Sequence, residues 1–387
     1  MRTNEINWKH AQRRGRGILE TVMKITLDAT ALLSRPFGIG QYALNLIHAL
    51  ARQEAPHHYE LLYHCMRESG RNFHVPEDPR FRRRLLRLPF AAADLALGKG
   101  KIPGDALLGR PDLFHATRNL LPRFRHAKSV WTCYDVSFKV EPAWFDPETA
   151  RGLDERVKSC LDRADHVIAI SRHTGEDLTC LYGYPSDRVT PILLGPSEAA
   201  REVAELPGSI PRPYILFVSS LEPRKNVARL VRAFSRMNTP HYLVLAGARG
   251  WKYEDIFREI VSSPRRDRIV WLDYVAPPLL AALYRHADLF VYPSLYEGFG
   301  LPVLEAMMHG CPVVTSHVAS LPEVGGDAVL YVDPQDEMDL AEKMRQVVTD
   351  QALREDLVRR GTERVAIFDW NATARATLDV YKAILNM

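Results

Sequence analysis

The sequence predicts an α/β protein of two doubly wound domains, each a mostly parallel sheet with helices on both faces. Three observations carry this. A chain of 387 residues is too long for one ordinary hydrophobic core, so two domains of common size are expected. Short apolar, β-branched runs alternate with longer stretches of helical period, which is the pattern of βα units. The alternation stops once, in a stretch rich in Pro, Gly, Ala and Glu, and then restarts.

Before the stop, the strand candidates are "MKITLDA" from Met23, "YELLYHC", "DLFHAT", "SVWTCYD", "HVIAIS" and "RVTPILL". The stop itself, "LLGPSEAAREVAELPGSIPRP" (residues 193–213), has no strand period and reads as a linker. After it come "YILFVSS", "HYLVLAG", "RIVWLD", "LFVYPS", "PVVTS" and "AVLYVD". These runs are almost continuously apolar, as parallel strands are when helices cover both faces. The expected boundaries are 23–195 for the first domain, 196–212 for the linker and 213–367 for the second domain. Residues 368–387 are expected to form an amphipathic helix that returns to the first domain. Residues 1–22 are polar and basic without a clean period, and are expected to be an extension lacking fixed structure.

Composition narrows the function classes. A formal net charge of +4 is too mild to point to nucleic acid. The cysteines (Cys65, Cys133, Cys160, Cys180 and Cys311) are odd in number, scattered and without a Cys-x-x-Cys pair, which argues against a disulfide framework or a thiolate metal site. No apolar run approaches the roughly 18 residues needed to span a bilayer, and the start lacks a secretory apolar core. A cytoplasmic location is expected, with at most peripheral contact with the inner membrane. The stretch "PRFRRRLLRLPF" (residues 79–90) reads either as a basic, solvated edge strand or as a surface for anionic lipid headgroups.

Ligands of open α/β sheets sit beyond the carboxyl ends of the strands, so motifs that directly follow strands carry most weight. "YEGFGLPVLEAMMHGCPVV" (residues 296–314) follows the strand "LFVYPS". It places Glu297 in a loop and Glu305 in the first turn of a short helix that can begin at Pro302. The amides of Phe299, Gly300 and Leu301 point out of that helix N-terminus, a natural seat for phosphate. Two glutamates beside such a seat would repel the anion if they faced it, so they are expected to face hydroxyl groups of a sugar and a ribose. A nucleoside diphosphate sugar supplies both sets of hydroxyls, with a diphosphate between them. "EPRKN", after the first strand of the second domain, puts Arg224 and Lys225 where they would neutralise that diphosphate. Cations at a helix start oppose the helix dipole, which favours a functional reason for the pair.

This constellation resembles the donor-site signature of the retaining family-four glycosyltransferases of GT-B fold: Glu, seven residues, Glu, then Gly-x-Pro-Val-Val. The resemblance runs over nearly the whole chain from Met23 and includes "FVSSLEPRKNVARLVRAF", "YRHADLFVYPSLYEGFGLPVLEAM" and "SLPEVGGDAVLYVDP". It implies two Rossmann-like domains facing each other across a cleft, the donor held mainly by the second and the acceptor by the first. It also implies that Glu297 meets the donor sugar's hydroxyls and Glu305 the ribose. Gly298 and the amides of Phe299, Gly300 and Leu301 would meet sugar or phosphate oxygens, and Tyr274 and Val275 the base. Two departures stand out. Many members carry a further Arg where this chain has Ser219 and Ser220, a role that Arg224 would take over. The family's Thr-x-His-Asp is here "TCYD", so Tyr134 stands in the usual His position, either lining the cleft or packed as an aromatic, and not as a base.

Gly40, in "FGIGQYALNL", is read as part of a glycine loop approaching the diphosphate from across the cleft, or as a plain turn. A dinucleotide fingerprint would follow its strand at once, and this one does not. His115 ends the strand in "DLFHAT" and is read as facing the cleft or as a satisfied structural histidine, while Ser171 and Thr174 read as helix caps. With no Asp-x-Asp, no His/Asp cluster of ligand spacing and no P-loop, neither metal nor cofactor is expected beyond the nucleotide-sugar co-substrate. The resemblance implies transfer of a hexose to a hydroxyl of a glycan or lipid-linked oligosaccharide acceptor. The "LEPRKN" form favours mannose from GDP-mannose, with UDP-glucose or dTDP-rhamnose as other donors. A nicotinamide-dependent oxidoreductase and a non-catalytic nucleotide-sugar-binding subunit are the other classes considered.

Overall fold

A computed structural model of the chain describes residues 22–33, 38–67, 73–89, 102–197 and 202–386. Residues 1–21 of the N-terminal extension, Phe90 of the arginine-rich stretch and 198–201 of the linker lie outside the described residues. Two all-parallel sheets form the scaffold. The first is ordered β3-β2-β1-β4-β5-β6-β7, from β1 (Lys24–Asp28), β2 (His58–His64), β3 (Phe81–Leu86), β4 (Leu113–Ala116), β5 (Lys128–Cys133), β6 (His166–Ala169) and β7 (Val189–Pro191). The second is ordered β10-β9-β8-β11-β12-β13, from β8 (Tyr214–Val218), β9 (Tyr242–Ala246), β10 (Ile269–Trp271), β11 (Leu289–Tyr292), β12 (Val313–Ser316) and β13 (Leu330–Val332). Two parallel-sheet, Rossmann-like lobes are thus present, as the alternation predicted.

The central strands show why their sequences do not alternate. Tyr214, Ile215, Leu216 and Phe217 of β8 are all fully buried, because helices cover both faces of the sheet. Ile215 lies opposite Leu243 on one side and Leu289 on the other. β3 is different: it is an edge strand, with Arg82 and Arg83 exposed. Charge on an edge discourages pairing with another chain. Arg80, just before it, turns inward, and its guanidinium donates to the carbonyls of Ala51 (2.6 Å), Gln53 (2.7 Å) and Ala55 (2.7 Å). It thereby finishes the helix α1 (Ile39–Ala51).

Strand order fixes where a ligand can enter. In the second sheet, the chain steps from β8 outward to β9 and β10, then returns to place β11 on the other side of β8. Connections leave the carboxyl ends of β8 and β11 in opposite directions and open a crevice between them. The first sheet has the same reversal between β1 and β4.

Five further helices matter to the site: α2 (Arg172–Tyr182) after β6, α3 (Val227–Ser235) after β8, α4 (Leu301–Met308) after β11, α5 (Leu321–Gly325) after β12, and α6 (Trp370–Ile384). α6 packs on α1. The Trp370 ring meets Tyr42 edge-on at 5.9 Å, and its Nε1 donates to the Pro196 carbonyl at 2.9 Å. Thr373 donates to the Leu193 carbonyl at 2.7 Å. The Tyr381 hydroxyl is 2.5 Å from His115 Nδ1, whose other ring nitrogen is 2.7 Å from Thr132 Oγ1. His115 is therefore a structural residue; the reading that turned it toward the cleft is corrected. All four residues of β4 are buried, so the end of this strand is roofed by α6. Burial holds the His115 imidazole neutral, its pKa pushed down to about 3. No described helix is long and apolar enough to cross a membrane.

Candidate active site

Charge collects in the crevice between β8 and β11. The loop leaving β8 closes in a 3-10 turn, Pro223–Lys225, and Asn226 (φ 61°) turns the chain into α3. The Asn226 amide donates to the carbonyls of Pro293 (3.0 Å) and Pro334 (2.8 Å), and the Leu295 amide donates to the Arg224 carbonyl (2.8 Å). These bonds stitch the loop leaving β8 to the loop leaving β11. Arg224 and Lys225 are thus brought onto Glu297, far along the sequence. Lys225 Nζ donates to Glu297 Oε1 at 2.6 Å and Arg224 Nη1 to Oε2 at 3.1 Å. Lys225 also donates to the Tyr292 hydroxyl (3.0 Å), and Arg224 to the Tyr296 carbonyl (2.9 Å) and to Glu222 Oε1 (3.0 Å).

All four charged side chains are shielded: Glu222 is 1 % exposed, Glu297 and Lys225 6 %, Arg224 9 %. Burial alone would push the Glu297 carboxyl up, but Lys225 and Arg224 outweigh it and hold it down at about 2. For Lys225, burial comes first and Arg224 adds to it; together they lower its pKa against the pull of Glu297. Glu222 is raised, chiefly by burial, with Arg224 opposing. The sequence placed the two cations against a diphosphate and Glu297 against a sugar; in the structure these groups hold one another.

The loop from Tyr296 to Gly300 is fixed from the other side as well. Ser320 Oγ lies 2.7 Å from the Glu297 carbonyl and 2.8 Å from that of Phe299. Gly300 sits at φ 111°, a conformation that side chains rarely adopt, and this lets α4 begin at Leu301 with Pro302 second. Gly298, Phe299, Gly300 and Leu301 therefore line one turn at the head of α4. Glu305 is the fifth residue of α4, in its second turn and not its first, because the helix starts only after Gly300. Its carboxylate accepts from the Tyr284 hydroxyl at 3.3 Å.

Burial pushes Glu305 up to about 7, the Tyr284 hydroxyl opposing only in part. A carboxyl raised in the fold favours folding below its unfolded pKa of about 4.3, and that contribution is lost as pH rises toward 7. Glu305→Gln, neutral at every pH, is therefore expected to gain on the parent chain by roughly 2 kcal/mol between pH 5 and pH 7.5. Paired urea melts at the two pH values measure this; a pH-independent difference would refute it.

Tyr274 (41 % exposed) and Val275 follow β10, two strands from β8. Gly40, read as a loop residue, is instead the second residue of α1, because Gly38 (φ 46°) already turns the chain into the helix. The Tyr134 hydroxyl donates to the Thr117 carbonyl at 2.8 Å, and its ring meets Tyr42 edge-on at 5.3 Å. Its side chain is tied within its own lobe, and its backbone carbonyl is what meets the other. A Cβ built on Gly298 would lie 1.9 Å from that carbonyl oxygen.

The lobes touch along α2. Ser171 caps this helix at the Thr174 amide (3.0 Å). Glu323, from α5 in the opposite lobe, accepts from the amides of Arg172 (2.8 Å) and His173 (2.7 Å). The Tyr296 hydroxyl donates to Asp177 (2.5 Å), and Thr174 to the Gly298 carbonyl (3.3 Å). On another flank Trp251 stacks on Phe145 (5.3 Å), and Lys252 donates to the carbonyls of Ala143 (2.8 Å) and Phe145 (2.7 Å). Lys252 also lines an open pocket of about 570 Å³, together with Phe138, Pro142, Phe145 and Arg151.

Glu222, Tyr292, Ser320, Asp177 and Glu323 were not singled out from the sequence. For Glu222 a signal existed: an acid two residues before Arg224, in a loop directly after a buried strand. Among the described residues, no group of three His, Cys, Asp or Glu side chains is arranged to hold a metal ion.

Two facing Rossmann-like lobes with a charged crevice at the β8/β11 reversal have the GT-B architecture. Sequence models agree: that of "Glycosyltransferase Family 4" matches residues 37–195 and that of "Glycosyl transferases group 1" residues 203–364. The chain is 34 % identical over 286 residues to O-antigen chain mannosyltransferase B of Escherichia coli, covering 70 % of this chain and 74 % of the relative. It belongs to the family 4, group 1 glycosyltransferases. Among solved structures, sucrose-phosphate synthase from Thermosynechococcus elongatus superposes with a TM-score of 0.72 at 23 % identity, over 94 % of this chain and 98 % of that one. Anabaena Alr3699/HepE in complex with UDP-glucose gives 0.69 at 17 %, over 93 % and 100 %.

Proposed function

We propose that this chain is a retaining hexosyltransferase that moves mannose from GDP-mannose to a hydroxyl of a glycan or lipid-linked acceptor in bacterial surface polysaccharide assembly, working in the cytoplasm at the inner membrane. The observation that carries the reading is the meeting of Arg224, Lys225 and Glu297 beside the head of α4, at the strand-order reversal. Cations and helix amides at one spot suit the charge that develops on a departing diphosphate. A carboxylate alongside suits the hydroxyls of the sugar still attached to it. In the reaction the bond between the anomeric carbon and the diphosphate oxygen breaks as the acceptor oxygen arrives on the same face. The departing phosphate oxygen takes the acceptor's proton, so no protein nucleophile is required.

Glu305 would accept from the ribose, and Tyr274 with Val275 would hold the base. Mannose is favoured by the named activity of the Escherichia coli relative and by the "LEPRKN" form. The bound UDP-glucose of the Anabaena structure supports a nucleotide sugar as co-substrate and keeps UDP-glucose as the alternative donor. Neither matching sequence model is that of an oxidoreductase. Thermal-shift measurements with GDP, UDP and dTDP, followed by incubation with the matching sugar donors, test the proposal. Stabilisation by GDP and consumption of GDP-mannose, with an α-configured product by NMR, are expected. No stabilisation by any of the three would sink the reading, and donor binding without turnover would leave a binding subunit.

A further inference from the structure

The site sets Arg224 and Lys225 against Glu297 and Glu222, and the Asp135 carboxylate of the other lobe also acts on Arg224, so neither cation stands uncompensated. A pocket whose cations are already compensated attracts a diphosphate weakly. On the reading above, on which this inference rests, Glu297 turns from the cations to the donor's hydroxyls, leaving Arg224 and Lys225 for the phosphates. Glu222 cannot follow. One of its oxygens accepts from Arg224 Nη2 at 3.0 Å and the other from Ser220 Oγ at 3.1 Å, both partners lying in its own short loop. The Gly250 backbone closes over it, a Cβ there lying 3.2 Å from Glu222 Cβ.

We infer that Glu222 is the positioning residue that sets how tightly this pocket grips a diphosphate: it holds the Arg224 fork in place and cancels one of the two positive charges that Glu297 releases. Two uncompensated buried cations would bind the departing nucleoside diphosphate as strongly as they stabilise its formation, and product release would then limit the cycle. Cations tempered by a fixed carboxylate, with the guanidinium held in one place, favour the developing charge while letting the product leave. Glu222 touches neither sugar nor phosphate in this scheme and acts through Arg224.

Two variants separate charge from position. Glu222→Gln keeps an oxygen toward Arg224 and removes the charge. It is expected to bind the cognate nucleoside diphosphate roughly tenfold more tightly. Rapid-quench kinetics should show a burst of transfer faster than the parent's, followed by slowed turnover. Glu222→Asp keeps the charge but is one methylene too short to hold the fork. It is expected to keep the dissociation constant within about twofold while its burst rate falls roughly tenfold. Calorimetric titration with GDP, UDP, dTDP and inorganic pyrophosphate supplies the constants. A Gln variant that binds like the parent, or two variants that merely melt earlier with both constants falling together, would overturn the inference and leave the proposed function standing. A parent chain that binds none of the four probes would overturn both. Should the Gln chain fail to fold, the Asp variant decides alone, since an unchanged burst rate there refutes the positioning role.

Discussion

Glu297→Gln is expected to reduce transfer by roughly a hundred- to a thousandfold, the scale seen when one fixed polar partner of a developing charge is lost. The side chain keeps its size, but its amide NH2 must face a cation where a carboxylate oxygen stood. Lys225 at 2.6 Å and Arg224 at 3.1 Å cannot both be satisfied by a single amide oxygen. Glu297→Ala is the poorer experiment. It takes from buried Lys225 its carboxylate partner and from Arg224 one of two, a change that costs about 3–5 kcal/mol, so lost activity would be confounded with lost fold.

The pH dependence runs one way. Glu297 titrates near 2 in the fold against about 4.3 unfolded. The stability it contributes is therefore complete above that range and is lost as pH falls toward 2. No accessible alkaline shift will restore the Gln variant. Steady-state rates with a saturating donor, alongside melting curves for the folded fraction, give the comparison, and near-normal turnover would remove Glu297 from the chemistry.

Gly298→Ala is expected to lower transfer by about a hundredfold through geometry alone. The added methyl would sit 1.9 Å from the Tyr134 carbonyl oxygen and 2.9 Å from Asp135 Cβ. The first of these is backbone and cannot rotate away, so the lobes must part by at least about 1 Å. The bonds from Thr174 to Gly298, Tyr296 to Asp177, and the Arg172 and His173 amides to Glu323 share that face and would loosen together. A larger radius of gyration in solution scattering is expected, with nucleoside diphosphate affinity changed less than about threefold if, as proposed, the second lobe supplies those contacts. Full turnover in this variant would show that the observed approach of the lobes is unnecessary for transfer.

Much of the scaffold was legible because buried parallel strands announce themselves as unbroken apolar runs. The strand least like the others, β3, lies on an edge and carries charge, so it could be read only as one of two possibilities. The site was half legible. A loop after a buried strand is a good place to look for chemistry, and Glu297, Arg224 and Lys225 all lie in such loops. Their mutual pairing was not visible, since local pattern says which side chains are buried and nothing about which distant group meets them. The same gap explains why His115 stood between two readings, cleft residue or structural histidine: α6, more than 250 residues later, covers it and makes it the second. Glu323 was inside a quoted motif and still silent, because its partners are two backbone amides of the other lobe.

The position of α6 has a consequence for how the molecule is made. A ribosome delivers the seven strands of the first sheet long before residue 370, yet Tyr42 and His115 gain two further partners, Trp370 and Tyr381, only when α6 arrives. The lobe synthesised first must wait, with an apolar groove along α1 still uncovered, until the lobe synthesised second has been threaded out. The two halves are thus ordered by translation but completed in reverse, and severing the chain in the linker would yield a leading fragment lacking its closing piece.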